Sequence, residues 1–191
     1  MNLKENIPAE EKILRLAWES GFSAVSIIDT KDFIFVPEYR RFCEENRCGN
    51  YGKNYGCPPV CGTPEEMRDK VLCYKRGLVL QSKRTMKNVF DPVETKRLKK
   101  EHTALTLRLI QILEEEGLGG GHPIMAGPCN LCETCHMAQG RPCPHERQQF
   151  SCLSAYCIDA GRMAQKCGME MSWSGDMVSF FSVYLFDMLE N

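Results

Sequence analysis

The chain has 191 residues, with 24 Lys and Arg, 25 Asp and Glu and 12 Cys, enough for one well-filled core or two small ones. With 43% apolar and 26% charged residues it has the composition of a folded globular protein, neither disordered nor fibrous. A formal charge of −1 removes the simplest electrostatic case for nucleic acid, and no apolar run approaches the roughly 18 residues of a membrane span.

The N-terminus, MNLKENIPAEEK, lacks the apolar core of a signal peptide. A cytoplasmic protein without nucleic-acid or membrane partners is therefore expected. The cytosol keeps ordinary thiols reduced, so the Cys content points to metal binding or redox chemistry rather than disulfides.

In chain order, Ile13, Leu14, Ala17 and Trp18 have helical spacing, between Pro8 and a capping Gly21. The apolar runs Ala24–Ile28 and Phe33–Val36 read as two strands of a hairpin. Residues 38–62 lose periodicity and collect glycines, prolines and four Cys, a loop that packing alone does not shape. Thr63, Pro64, Glu65, Glu66 is a capping box opening a helix to about Tyr74.

Leu78–Gln81 reads as a buried strand, and Asp91 with Pro92 starts a long helix, with Leu98, Leu105, Leu109, Ile112 and Leu113 on one stripe, that ends at Gly117. The basic run Lys96–Lys100 is a solvated face of that helix, and His102 a packed residue on it. Pro123–Ala126 reads as a strand reached by a crossover, predicting parallel pairing with Leu78–Gln81. A second aperiodic stretch, 127–152, precedes a helix over Asp159–Cys167 and strands over Met169–Trp173 and Phe180–Phe186. The expectation is one α/β domain over 1–191, with a mixed sheet, flanking helices and two cysteine-rich metal-binding loops at about 43–61 and 129–143. In such sheets, sites gather beyond the carboxyl ends of strands, where the second loop falls.

The strongest chemical signal is Cys129, Cys132, Cys135, Cys143, Pro144, or C-x2-C-x2-C-x7-C-P. Three thiolates at a three-residue interval can wrap one corner of a cubane, with a fourth from farther along closing it. Bacterial ferredoxins use the same start with a shorter last arm. Structural zinc sites favour two separated pairs, so [4Fe-4S] leads and zinc is the alternative. The second group is Cys43, Cys48, Cys57 and Cys61, at intervals x4, x8 and x3, with Cys61 its least certain member. Gly49, Gly52 and Gly56 allow close approach of N–H groups to a cluster. Arg40, Arg41, Arg47 and Lys53 are placed to offset its negative charge.

One or two clusters fit these residues. In two-cluster ferredoxins a Cys followed by Pro ligates the other cluster, and Cys57 and Cys143 both precede Pro, so local and exchanged ligand sets are both open. Cys73, Cys152, Cys157 and Cys167 have no metal spacing and read as packed thiols. His136 and His145 flank the second loop and could replace a Cys. No dinucleotide fingerprint, P-loop or H-E-x-x-H site is present.

The combined pattern, C-x4-C-G-x-Y-G from Cys43, C-P-P-x-x-G-T from Cys57, A-G-P-C-x-x-C-x-x-C from Ala126 and S-A-Y-C-I-D from Ser154, resembles the DUF2284 family of predicted metal-binding proteins, small prokaryotic cytosolic chains, over nearly its full length. The resemblance implies metal binding through Cys43, Cys48, Cys57, Cys129, Cys132, Cys135 and Cys143. Cys61 and Cys157 depart from the family pattern, Cys157 standing where a Gly is more usual, and Cys143, Pro144, His145 replaces a Cys-Arg-x-Pro. The expected function is a cytosolic iron–sulfur protein passing single electrons to or from a redox partner protein. The alternatives are a cluster-containing redox enzyme and a zinc-stabilised interaction module.

Overall fold

The computed structural model describes residues 8–187. Six strands, β1 (Ala24–Asp29), β2 (Arg76–Thr85), β3 (His122–Met125), β4 (Ser151–Cys152), β5 (Trp173–Ser174) and β6 (Met177–Phe186), form one mixed sheet. Its order is β1-β2-β6-β3-β4, with β5 paired to the start of β6. Only β3 and β4 pair in parallel. The two ten-residue strands lie side by side at the centre, in register from Arg76↔Phe186 to Thr85↔Met177.

The β6 sequence MVSFFSVYLF is almost continuously apolar because both faces of the sheet are covered. The two-residue side-chain period divides them. Leu78, Leu80, Tyr184 and Phe186 pack on Ile13 and Ala17 of α1 (Ala9–Glu19) and on Leu109 and Leu113 of α4 (Pro92–Glu115). Val79, Phe181, Val183 and Leu185 face the other way, against Met67 and Val71 of α3 (Pro64–Leu72) and Met163 and Ala164 of α5 (Ala160–Lys166). Cys61, Leu153, Ala155 and Tyr156 belong to that second cluster, so the end of the first cysteine loop and the segment after Cys152 sit on the α3/α5 side of the sheet.

The helix starts follow their local signals. Thr63 Oγ1 accepts from the Glu66 amide at 3.2 Å while Glu66 Oε2 accepts from the Thr63 amide at 2.8 Å, and Asp91 and Asp159 cap α4 and α5 in the same sense. Such caps contribute about 1 kcal/mol each. His102 is packed, as its place on the α4 stripe predicts. Its ring nitrogens meet Ser82 Oγ at 2.8 Å and Ser182 Oγ at 3.0 Å, and Thr106 Oγ1 meets Ser182 Oγ at 2.8 Å. This buried network ties α4 to β2 and β6, and burial lowers the imidazole pKa to about 3.

Four expectations are corrected. The Ala24–Ile28 and Phe33–Val36 hairpin does not form: β1 pairs with β2, a 3-10 turn follows at Thr30–Asp32, and Phe35 makes only an isolated bridge to Ile158. The second run is apolar because Phe33 packs on the sheet, where a Cβ on Gly77 would stand 2.8 Å from its ring. Leu78–Gln81 and Pro123–Ala126 are not parallel neighbours either, because the more apolar β6 lies between β2 and β3 and pairs antiparallel with both. In the Met169–Trp173 run, only Trp173 is in a strand, which continues to Ser174. Part of the expected 38–62 loop is also helical, as α2 (Arg40–Glu44).

Candidate metal centres

The loop after β3 starts at the carboxyl end of that strand, as expected of a site in an α/β sheet. Cys129, Cys132, Cys135 and Cys143 all line one pocket. The seven-residue arm between Cys135 and Cys143 is compact because a 3-10 turn over His136–Gln139 closes at Gly140, whose φ of 64° suits a residue without a Cβ. The Arg141 amide then donates to His136 O at 3.0 Å. This turn returns Cys143 to the first three thiols, which accounts for the longer final arm. His136 and His145 line the same pocket, and His136 Nδ1 meets Pro142 O at 3.1 Å.

The pocket's other wall comes from the first loop. Asn54 and Tyr55 line it, with Asn54 Nδ2 donating to Cys129 O at 2.8 Å and Tyr55 Oη to Arg141 O at 2.9 Å. The backbone amides of Leu131 and Phe150 are directed at the Cys129 sulfur and favour its thiolate, while burial, the larger effect, pushes the thiol up.

The other group comes from the first loop itself. Cys43 lies on α2, Cys48 is exposed on the turn after it, and Cys57 is buried in the turn that follows. Burial, and then the charge of Cys152, push Cys43 up to about 12. Cys57 is raised by burial, and then by Cys152, Cys48, Cys61 and Cys43. These thiols are therefore electrostatic neighbours. Each would bind metal only by releasing a proton, and a bound cation would reverse the mutual repulsion.

Cys152 packs against the α3/α5 core cluster, as expected of it, and is also an electrostatic neighbour of Cys43 and Cys57. It stands on β4, opposite Met125 of β3. Burial raises its pKa, opposed by the backbone amides of Ala155 and Ser154 and by Lys99, while Cys48 adds to the rise. Spacing could not reveal it, because its neighbours in the first loop lie far away in sequence. The available signal was that Cys152 ends the aperiodic cysteine-rich stretch.

Of the expected cations, Arg40 is the one built into the site. Its Nη1 donates to Gly62 O at 2.9 Å and lies 4.0 Å from Cys61 Sγ, and its Nη2 donates to Ala155 O at 2.8 Å. It is 8% exposed, no carboxylate pairs with it among the described residues, and its Nε is buried without a partner there. A buried guanidinium without an anion is unfavourable by several kcal/mol. An anionic cluster held by thiolates supplies that missing charge, so the residues present fit such a group. Arg47 instead pairs with Glu45, and Arg41 lies over the Phe42 ring.

The remaining thiols differ. Cys61 is buried in the α3/α5 core cluster, and Cys167 packs against that cluster. Cys73 is exposed at the end of α3, so it is not packed as expected. Cys157 is buried, with φ 55° and its Sγ 3.8 Å from Pro37 O. That left-handed backbone favours glycine. The thiols surround their sites rather than meeting at a point: among the described residues no three His, Cys, Asp or Glu side chains lie close enough to hold a single ion.

Residues 26–186 match the model of DUF2284, described as a predicted metal-binding protein. The chain belongs to the DUF2284 family. Comparison with curated proteins and with solved structures gives no match. For this DUF2284 chain, both cysteine loops and Cys152 lie within the matched span. No helix among the described residues is long and apolar enough to cross a membrane.

Proposed function

We propose that this DUF2284 protein is a cytoplasmic iron–sulfur protein that carries single electrons between a reduced donor and an oxidised acceptor, at least one of them a partner redox protein. Neither nucleic acid nor a membrane is a partner in this reading. The observation that carries it is the pocket ringed by Cys129, Cys132, Cys135 and Cys143, three of them at the constant interval that suits a cubane.

A bound [4Fe-4S] cluster supplies reversible one-electron chemistry. The chain's own contribution is to hold it, exclude water and set its potential. The amides of Leu131 and Phe150 directed at Cys129 favour added negative charge, and so raise the potential. Four thiolates leave no iron position open to substrate, which favours carriage of electrons over catalysis at the cluster.

Protein purified without oxygen is expected to be brown, with iron and acid-labile sulfide in near-equal amounts and an electron paramagnetic resonance spectrum unchanged by cyanide. Stoichiometric zinc in a colourless, folded sample would overturn the reading. A new spectrum with cyanide would move it to an enzyme with an open iron position.

A further inference from the structure

We propose that Cys152 completes a second four-thiolate cluster site with Cys43, Cys48 and Cys57, and that the segment Phe150–Cys152 joins this site to the pocket of Cys129–Cys143 as one unit. The inference rests on the iron–sulfur reading above and adds a ligand set, a count and a coupling.

The geometry around Gly56 fixes the neighbourhood. A Cβ on Gly56 would stand 2.0 Å from Phe150 O and 3.1 Å from Cys129 Cβ, so the residue preceding Cys57 lies directly against the backbone two residues before Cys152. Arg40, on the helix that carries Cys43, reaches Ala155 O at 2.8 Å. The Ala155 amide donates to Cys152 O at 2.9 Å. The first loop is thus fastened to the β4 end of the second loop at two points, one beside Cys57 and one through the helix of Cys43.

Both sites share a construction. At Cys152 the backbone amides of Ala155 and Ser154 favour the thiolate, as those of Leu131 and Phe150 do at Cys129. Backbone N–H groups aimed at sulfur are a recurrent way of holding a cluster thiolate. Cys61 is turned toward Arg40, 4.0 Å from its Nη1, and is a buried member of the apolar cluster of Met67 and Val71, whereas Cys152 lies at the edge of that cluster, only partly buried. Arg40 and Lys99 supply the positive charge near the site.

Phe150 belongs to both sites through two atoms. Its amide is directed at the Cys129 sulfur and its carbonyl lies against Gly56, while its chain continues through Ser151 to Cys152. Two clusters held this way are close enough for their unpaired spins to interact when both are reduced.

The test uses the full chain, reconstituted without oxygen, with iron and sulfide counted and the reduced protein examined by electron paramagnetic resonance. The wild type is expected to hold about eight iron and eight sulfide, as two cubanes require, with a spectrum broadened by spin interaction. Cys152→Ser should lose half of both and give the simple spectrum of one isolated cluster, while Cys61→Ser keeps the full complement. Cys48→Ser, at an exposed position where no packing is lost, should reproduce the half loss even if Cys152→Ser does not fold. Full iron in Cys48→Ser or in folded Cys152→Ser, half loss in Cys61→Ser, or a wild type with four iron would overturn this inference and leave the iron–sulfur reading standing. Eight iron without spin interaction would overturn the coupling. A wild type without iron or sulfide would overturn both readings.

Discussion

Replacing Gly56 by Ala tests whether the two cysteine loops are pressed together. The added Cβ would stand 2.0 Å from Phe150 O and 3.1 Å from both the Phe150 carbonyl carbon and Cys129 Cβ. A carbon–oxygen contact is comfortable only beyond about 3.3 Å, so the strands of the two loops must part by about 1 Å. The obstacle is backbone, not a flexible side-chain end, and Gly56 is also held by its amide donating to Asn54 Oδ1 at 2.9 Å. The cost belongs at the upper end of overpacking, about 3 kcal/mol, equivalent to about 6 to 12 °C in Tm for a chain of this size. Moving Phe150 also removes its amide from the Cys129 sulfur, so metal retention should fall with stability. Gly127→Ala is the control, because its Cβ would meet only Lys99 Cδ at 3.9 Å and should change stability by less than about 0.5 kcal/mol. Anaerobic urea denaturation with metal analysis measures both effects. A Gly56→Ala protein as stable and as metal-loaded as the wild type would refute the close approach.

Arg40→Leu should lower the reduction potential of the neighbouring site, because a removed cation no longer favours added electrons; a potentiometric titration reads the shift, and an unchanged potential would contradict the placement of Arg40 beside that site. His102 gives a pH signature: its pKa is lowered from 6.5 to about 3 in the folded protein, so its contribution is fully present above about 6.5 and is lost as pH falls toward 3. Within that window the wild type should lose about 1.4 kcal/mol per pH unit more than His102→Gln, and parallel urea curves at all pH values would contradict this. Chelation should leave the sheet folded by circular dichroism while trypsin cuts faster after Arg147, which is exposed between Cys143 and β4. Cys73→Ser, at an exposed helix end, should leave metal content unchanged and stability within about 0.5 kcal/mol.

The parts of this molecule legible in its sequence are those decided locally. Thr63 with Glu66, Asp91 with Pro92, and Asp159 each announce a helix start because the capping partners lie within three residues. The Cys129–Cys135 interval likewise marks a pocket that the fold assembles from one loop. Pairing was less legible. The run Phe33–Val36 has strand composition, yet it is buried by packing of Phe33 rather than by a ladder, and nothing local distinguishes the two. The placement of β6 between β2 and β3 depends on the last strand competing for the centre of the sheet. Cys152 was hidden for the same reason, since its neighbours Cys43, Cys48 and Cys57 come from a loop that only the folded sheet brings alongside β4.

The most direct measurement of the central claim is the number of electrons the anaerobic protein takes up. A stepwise reductive titration followed by visible absorption should consume about two electrons per chain, one for each site, bleach the cluster absorption, and return the same number on reoxidation. A folded protein with its metal complement intact that takes up no electrons would contradict the account.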